Sequence, residues 1–250
     1  DDGSTDGTGE LATTYAHQHK LTLRVITHEK NQGTSTAMNT GVRASANDWI
    51  TFLGSDDEFD EKWLDTMLKV KERVKGFNVY ACTAYLVEPN GRRTHHKEGM
   101  PSREIKLSDI YVRNTILSAG CFVDKLMFEK LDGFTEGMYN EDYDLWMRTL
   151  ANGYRIYEEV APMYLYYVGG SGQVTANQRK IVTSSVSARL ALLDSGKLNE
   201  EDTEGIKKGM KRCLLDLVIY EHSRAMSDKT NHFNSKVKIV IIRKILNILA

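Results

Sequence analysis

The chain alternates between two hydrophobic periods. Thr8 to His19 reads as a helix opened by Gly7-Thr8, and Leu21 to Thr27 follows with the β-branched character of a strand. Ala37, Met38, Val42 and Ala46 then recur near helical spacing across Ser35 to Ser45, before Trp49 to Leu53 returns to a buried-strand pattern. Glu61 to Val74 carries Trp63, Leu64, Met67, Leu68, Lys71 and Val74 on a helical period, and Asn78 to Val87 follows as a strand. Helices and strands in alternation predict a layered α/β fold with a mostly parallel sheet.

The alternation continues less regularly. The polar stretch Glu88 to Lys106, with two of the chain's three prolines, predicts a loop or hairpin. Ser118 to Val123 reads as a strand, Lys125 to Leu131 as a helix closed by Asp132-Gly133, Tyr143 to Ala151 as a helix, and Tyr154 to Tyr167 as an aromatic strand. Gly169-Gly170-Ser171-Gly172 breaks the composition. Beyond it Asn177 to Leu193, Glu200 to Met226 and Ser235 to Leu249 all read as helices, which predicts an α/β domain over 1–172 and a helical C-terminal region over 173–250.

Composition narrows the class of protein. With 33 Lys and Arg against 34 Asp and Glu in 250 residues, the net charge of -1 offers no global attraction to nucleic acid, and no nucleic-acid partner is expected. Cys82, Cys121 and Cys213 stand far apart, without zinc-site spacing or a disulfide framework, and fit a reducing, cytoplasmic setting. No apolar run reaches the roughly 18 residues of a membrane span. The tail from Lys236 to Leu249 mixes basic and branched apolar residues, which suits peripheral contact with the inner face of a membrane, packing on its own domain, or a homodimer contact.

Candidate chemistry lies in two separated acidic clusters. Thr51-Phe52-Leu53-Gly54-Ser55-Asp56-Asp57 is an apolar run ending in adjacent carboxylates, and Asn140-Glu141-Asp142-Tyr143-Asp144 is the second. Open α/β sheets bind ligands where strands end, which is where the first cluster falls. Each cluster also has a plainer explanation, since acids favour helix N-termini. Asp2-Gly3-Ser4-Thr5-Asp6-Gly7 looks like the start of a calcium loop, but its twelfth position is Thr13 where a bidentate Glu is needed. The histidine pairs His17/His19 and His95/His96 lack metal-ligand spacing, and Ser171 and the cysteines lack the context of a nucleophile.

Four segments in order, Asp1-Asp2-Gly3-Ser4-Thr5-Asp6, Asn31 to Gly41, Phe52 to Asp57, and Gly133-Phe134 with Glu141 to Arg148, resemble the family 2 glycosyltransferases, which have the GT-A fold. The resemblance covers roughly Asp1 to Ser171. It implies inverting transfer of a sugar from a nucleotide diphosphate donor, UDP-sugar first, to an acceptor hydroxyl on a saccharide or lipid-linked saccharide, in polysaccharide or glycan synthesis. Asp57 would hold Mn2+ or Mg2+, with Asp56 assisting the metal or reaching the ribose. Asp142 would be the catalytic base with Glu141 beside it. Asp2 would accept from the nucleotide base, with Asn31 and Gly33 as the neighbouring wall and the glycine allowing close backbone approach. Trp146, one turn after Asp142, would either stack on an acceptor sugar or belong to the core.

The chain departs from the family pattern at Met38, where an arginine is common, and at Gly54, where an acid is common. After Tyr166-Tyr167 it also lacks the usual histidine, and it opens in the Asp1-Asp2 turn without the family's first strand and helix. These departures lead to the expectation of an inactive fragment of a longer enzyme. They also motivate an alternative, a noncatalytic GT-A-like module that binds a sugar nucleotide or a partner protein. A third alternative makes the C-terminal helices the main functional element, as an assembly or membrane adaptor.

Overall fold

A computed structural model describes residues 1–168 and 177–227. The expected break at Gly169 to Gly172, Ser171 and the tail from Ser235 to Leu249 lie outside the described residues. Helices α1 (Thr8–Gln18) and α2 (Thr34–Ala44) precede β1 (Trp49–Ile50) and β2 (Glu58–Phe59), and α3 (Trp63–Arg73) leads into the long strand β3 (Val79–Val87). Short strands β4 (Arg93–His95) and β5 (Arg103–Ile105) follow, with a 3-10 turn at Leu107–Ile110. Next come β6 (Phe122–Asp124), α4 (Lys125–Lys130), α5 (Glu141–Ala151), β7 (Ile156–Tyr167), α6 (Gln178–Asp194) and α7 (Glu200–Ser227).

The sheet runs β1-β6-β3-β7-β2, with β4 on β3 and β5 on β7. Its spine is the parallel β3/β7 ladder, from Val79 opposite Ile156 to Val87 opposite Tyr167, with a register shift around Thr83. The other ladders are antiparallel, so the α/β class holds while the sheet is mixed rather than mostly parallel. Ladder direction depends on how the chain returns to the sheet: β6 comes back beside both β1 and β3 in the opposite sense, and no local pattern encodes that.

Strand β3 shows how the period of two builds two cores. Val79 and Ala81 point into one layer with Val123, Ile156, Phe128, Trp146, Leu192 and Ile206, which draws α4 to α7 onto that face. Tyr80, Cys82 and Ala84 point the other way and meet Trp63, Met67 and Val70 of α3. Helices α6 and α7 therefore share the core of the sheet. Cys82 and Cys121 are buried free thiols, and among the described residues no helix is long and apolar enough to cross a membrane.

The expected strand from Leu21 to Thr27 is absent as a strand. Its backbone is held locally, by Leu21 N–H on the Ala16 carbonyl at 2.8 Å and Leu23 N–H on the Leu21 carbonyl at 3.1 Å, and by Asp1, whose ammonium donates to the Ile26 carbonyl and whose carbonyl accepts the N–H of the adjoining His28, each at 3.0 Å. Leu21 and Leu23 are exposed. β-branched residues supply strand propensity, but a ladder needs a neighbour, and among the described residues this segment has none.

Candidate active site

Two elements fix the first acidic cluster. As the chain leaves β1, Phe52 bridges Ala119 in parallel and its carbonyl accepts the Gly120 N–H at 3.2 Å; on the other side β2 pairs with β7. Between these anchors the Asp57 N–H donates to the Gly54 carbonyl at 3.2 Å, closing a tight turn that projects both aspartates. Asp57 Oδ1 accepts the Tyr167 N–H at 3.2 Å. Burial raises the Asp57 carboxyl to about 6, against the pull of that N–H and with a further push from Asp56. Helix α3 begins only at Trp63, and Asp60 is the acid that accepts from its approach, at Lys62 N. The helix-dipole explanation of Asp56 and Asp57 therefore fails.

Gly54 has a physical role here. A Cβ at this position would stand 2.8 Å from Asp56 Oδ1 and 3.6 Å from Asp57 Oδ2. The two carboxylates thus approach one point that the missing side chain leaves open. Two hard oxygen donors over a gap suit Mg2+ or Mn2+, which retain waters and bind through one or two carboxylates plus phosphate. No third His, Cys, Asp or Glu converges with them among the described residues.

The second cluster opens α5, and its acids differ in partner. Asp144 is buried, accepts from Thr135 Oγ1 and pairs with Arg148, which also donates to the Leu131 and Gly133 carbonyls, so its charge is consumed in holding the preceding loop. Asp142 has only neutral partners: Tyr143 N–H on Oδ1 at 2.7 Å and Asn114 Nδ2 on Oδ2 at 2.9 Å. Burial lifts Asp142 to about 6 despite those two donors. Glu141 is lifted to about 7, by burial first and by the Asp142 charge second. Such carboxyls are tuned for proton transfer near neutrality.

Both clusters border one cavity of about 1300 Å³, which Asp2, Met38, Arg113 and Asn114 also line. Its far wall comes from α6 and α7 through Ile181, Ser185, Arg189 and Cys213. Trp146 is fully buried in the core and takes no part in the cavity, which removes the stacking alternative.

Asp2 organises the remaining wall. Its carboxylate accepts the Gln32 N–H at 2.9 Å, the Gly33 N–H at 2.7 Å, and pairs with His28 Nδ1 at 2.9 Å, while His28 Nε2 reaches Thr40. Burial works to raise Asp2, but these donors together hold it below the usual carboxylate range. Asn31 and Gly33 belong to this tied loop and do not border the cavity. Gly33 has φ +93° and a Cβ there would meet nothing, so its need is conformational; the close approach falls instead at Gly3, where a Cβ would lie 2.9 to 3.1 Å from the Lys30–Asn31 peptide.

Sequence reading missed His28, Asn114 and Arg189. Arg189 carried a legible signal, a lone cation inside Ala188-Arg189-Leu190-Ala191-Leu192-Leu193. Asn114 carried none, because its partner lies 28 residues away.

A mixed sheet with helices on both faces, opening on a cavity with one acidic pair at a strand end and another at a helix start, defines a GT-A glycosyltransferase fold. The fold is shared with S. aureus TarS 1-349 in complex with UDP-GlcNAc, at a TM-score of 0.69 and 20% identity over 85% of this chain and 61% of that one. It is shared also with the mannosyltransferase PcManGT of Pyrobaculum calidifontis in complex with GDP-Man and Mn2+, at 0.60 and 14% over 99% and 76%. The family model described as Glycosyl transferase family 2 matches residues 1–131, and the chain belongs to that family. An uncharacterized glycosyltransferase of Methanocaldococcus jannaschii is 24% identical over 148 residues, 58% of this chain and 50% of the relative. A PGL/p-HBAD biosynthesis glycosyltransferase of Mycobacterium tuberculosis is 41% identical over 71 residues, 28% and 26%. The chain thus spans about half the length of the first of these relatives and a quarter of the second.

Proposed function

We propose that this chain carries the transfer centre of an inverting glycosyltransferase, which moves a sugar from a nucleoside diphosphate donor to the hydroxyl of a saccharide or lipid-linked saccharide. The observation that carries the proposal is the common cavity bordered by Asp56 and Asp57 on one side and Glu141 and Asp142 on the other. Uridine is the first nucleoside to test, since TarS holds UDP-GlcNAc on the same fold.

The acceptor oxygen forms its bond to the anomeric carbon as the bond to the donor phosphate breaks, and its proton passes to Asp142. Burial keeps that carboxylate basic against the two donors on it, and its charge in turn raises the cost of ionising Glu141 beside it. Asp57 and Asp56 would hold a divalent cation, which when bound neutralises charge on the departing diphosphate. Asp2, which itself borders the cavity, would meet the nucleotide base with its carboxylate held in place by the 32–33 backbone. The alternative, a module that binds donor without turnover, draws on Met38, an apolar side chain on the cavity where the family pattern has a cation.

The test uses the full chain with UDP- and GDP-sugars, with Mn2+ or Mg2+, following nucleotide release and, separately, nucleotide binding by calorimetry. Asp57→Asn is expected to lose metal-dependent binding. Asp142→Asn is expected to keep binding and lose about 10²- to 10⁴-fold in turnover, the usual worth of a positioned base. Donor binding without turnover would favour the module, and unchanged turnover in Asp142→Asn would remove Asp142 from the chemistry.

A further inference from the structure

Residues 110–116 form a loop that brings Asn114 to the cavity beside Asp142. Asn114 Nδ2 donates to Asp142 Oδ2 at 2.9 Å, and Asn114 Oδ1 accepts the Ile116 N–H at 3.0 Å. An amide has one donor end and one acceptor end, so the Ile116 contact fixes which end Asp142 meets.

Four elements distant in sequence fasten this loop. From α5, Tyr143 donates its hydroxyl to the Ile110 carbonyl. From α6, the fully buried Arg189 donates to the Tyr111 carbonyl at 3.0 and 3.1 Å, to the Val112 carbonyl at 2.8 Å and to the Tyr143 hydroxyl at 2.6 Å. From α7, Asp202 accepts the Tyr111 hydroxyl, and the helix backbone abuts Tyr111 at Gly205 and Gly209, where any Cβ would overlap it. Glycine weakens a helix interior, so two glycines one turn apart at this contact mark a required close approach. Behind the loop, the buried Lys97 donates to the Thr115 carbonyl and to Glu158, each at 2.6 Å.

Two buried cations, Arg189 and Lys97, are directed at the carbonyls of this one short loop. The side chain they hold still is the one that meets Asp142. We infer that Asn114 is a positioning residue for Asp142, a donor on a clamped loop that holds the carboxylate in one orientation toward the acceptor side of the cavity. The inference rests on the proposed role of Asp142 as base. The titratable and charged groups around Asp142 include Glu141 and Tyr143, its neighbours in sequence, the buried Cys121 thiol, which senses its charge, and Arg113, which borders the same cavity.

Asn114→Ala removes both contacts, whereas Asn114→Asp keeps the shape and the acceptor for Ile116 but replaces a fixed neutral donor with a carboxyl that competes with Asp142 for a proton. Both variants, wild type and Asp142→Asn are compared by kcat, KM, nucleotide binding, thermal stability and the pH profile of nucleotide release. Aspartate carboxyl titration by 13C NMR, assigned with Asp142→Asn, reads the same group without turnover. In both Asn114 variants kcat is expected to fall about 10- to 100-fold, as for a misplaced catalytic group, with nucleotide binding unchanged; the Asp142 midpoint rises by about one pH unit in Asn114→Ala, and in Asn114→Asp the two adjacent carboxyls share a proton and titrate as a coupled pair, one step of it raised further. A purely structural Asn114 would instead let Asn114→Asp recover wild-type kcat and would leave the midpoint in Asn114→Ala where it was; either result overturns the inference. Wild-type turnover in Asp142→Asn overturns the base itself and the inference with it. A damaged Asp142→Asn beside unaffected Asn114 variants overturns the inference alone.

Discussion

Lys97→Met tests whether the buried cation behind the loop is a net support. Lys97 and Glu158 are 9% and 3% exposed, with Nζ and Oε1 2.6 Å apart, and the same ammonium satisfies the Thr115 carbonyl. Methionine roughly preserves the side-chain volume, so the loss is electrostatic rather than a cavity. It leaves Glu158 buried without its cation and Thr115 without its donor, for which a destabilisation of about 3–5 kcal/mol is expected. At roughly 2–4 °C per kcal/mol for a protein of this size, the melting temperature falls by roughly 6–20 °C. Removing both charges, in Lys97→Met with Glu158→Leu, is expected to recover most of that loss, because the desolvation cost of the pair disappears with it. Urea denaturation of the two variants beside wild type measures both quantities. A single variant within 1 kcal/mol of wild type, or a double variant worse than the single, would refute the reasoning.

Two other perturbations read the site directly. With Asp142 raised to about 6, turnover is expected to fall about tenfold per pH unit below that point, because protonation removes the acceptor of the hydroxyl proton; an acid limb centred near 4 would contradict the burial. Stability should slope the other way: carboxyls that hold protons more tightly folded than unfolded favour the fold fully only below the ordinary carboxylate range, about 4, and lose that contribution as pH rises from there through about 6 to 7, which melting temperatures across this range will show. Gly3→Ala is expected to cost more than Gly33→Ala in chemical denaturation. Both substitutions strain a positive φ, by about 1–3 kcal/mol, but only Gly3 adds a collision with backbone; equal losses would remove the contact from the explanation.

The helices were legible because their apolar residues repeat within one element: α1, α2, α3, α6 and α7 fall within a residue or two of their periodicity. Both acidic clusters were legible too, since adjacent acids at the end of an apolar run are a local feature. What escaped was everything decided between elements. Leu21 to Thr27 has strand composition but no ladder, and the antiparallel return of β6 is a property of the path. Trp146 follows Asp142 at helical spacing, yet α5 is buried nearly all round, from Tyr143 to Met147, so spacing could not separate a cavity face from a core face. Asn114, Arg189 and Lys97 act on groups 18 to 78 residues away, and only folding makes them neighbours.

The grip of α6 and α7 on the 110–112 segment has a practical consequence for anyone dissecting the molecule. A polypeptide ended before Gln178 would strand the Tyr111 and Val112 carbonyls and the Tyr143 hydroxyl without the guanidinium that satisfies them, beside a freshly uncovered apolar wall. The matched stretch 1–131 is therefore a unit of recognition by similarity, not a unit that can be excised. Domain exchange among relatives would have to carry the two helices along with the loop they hold.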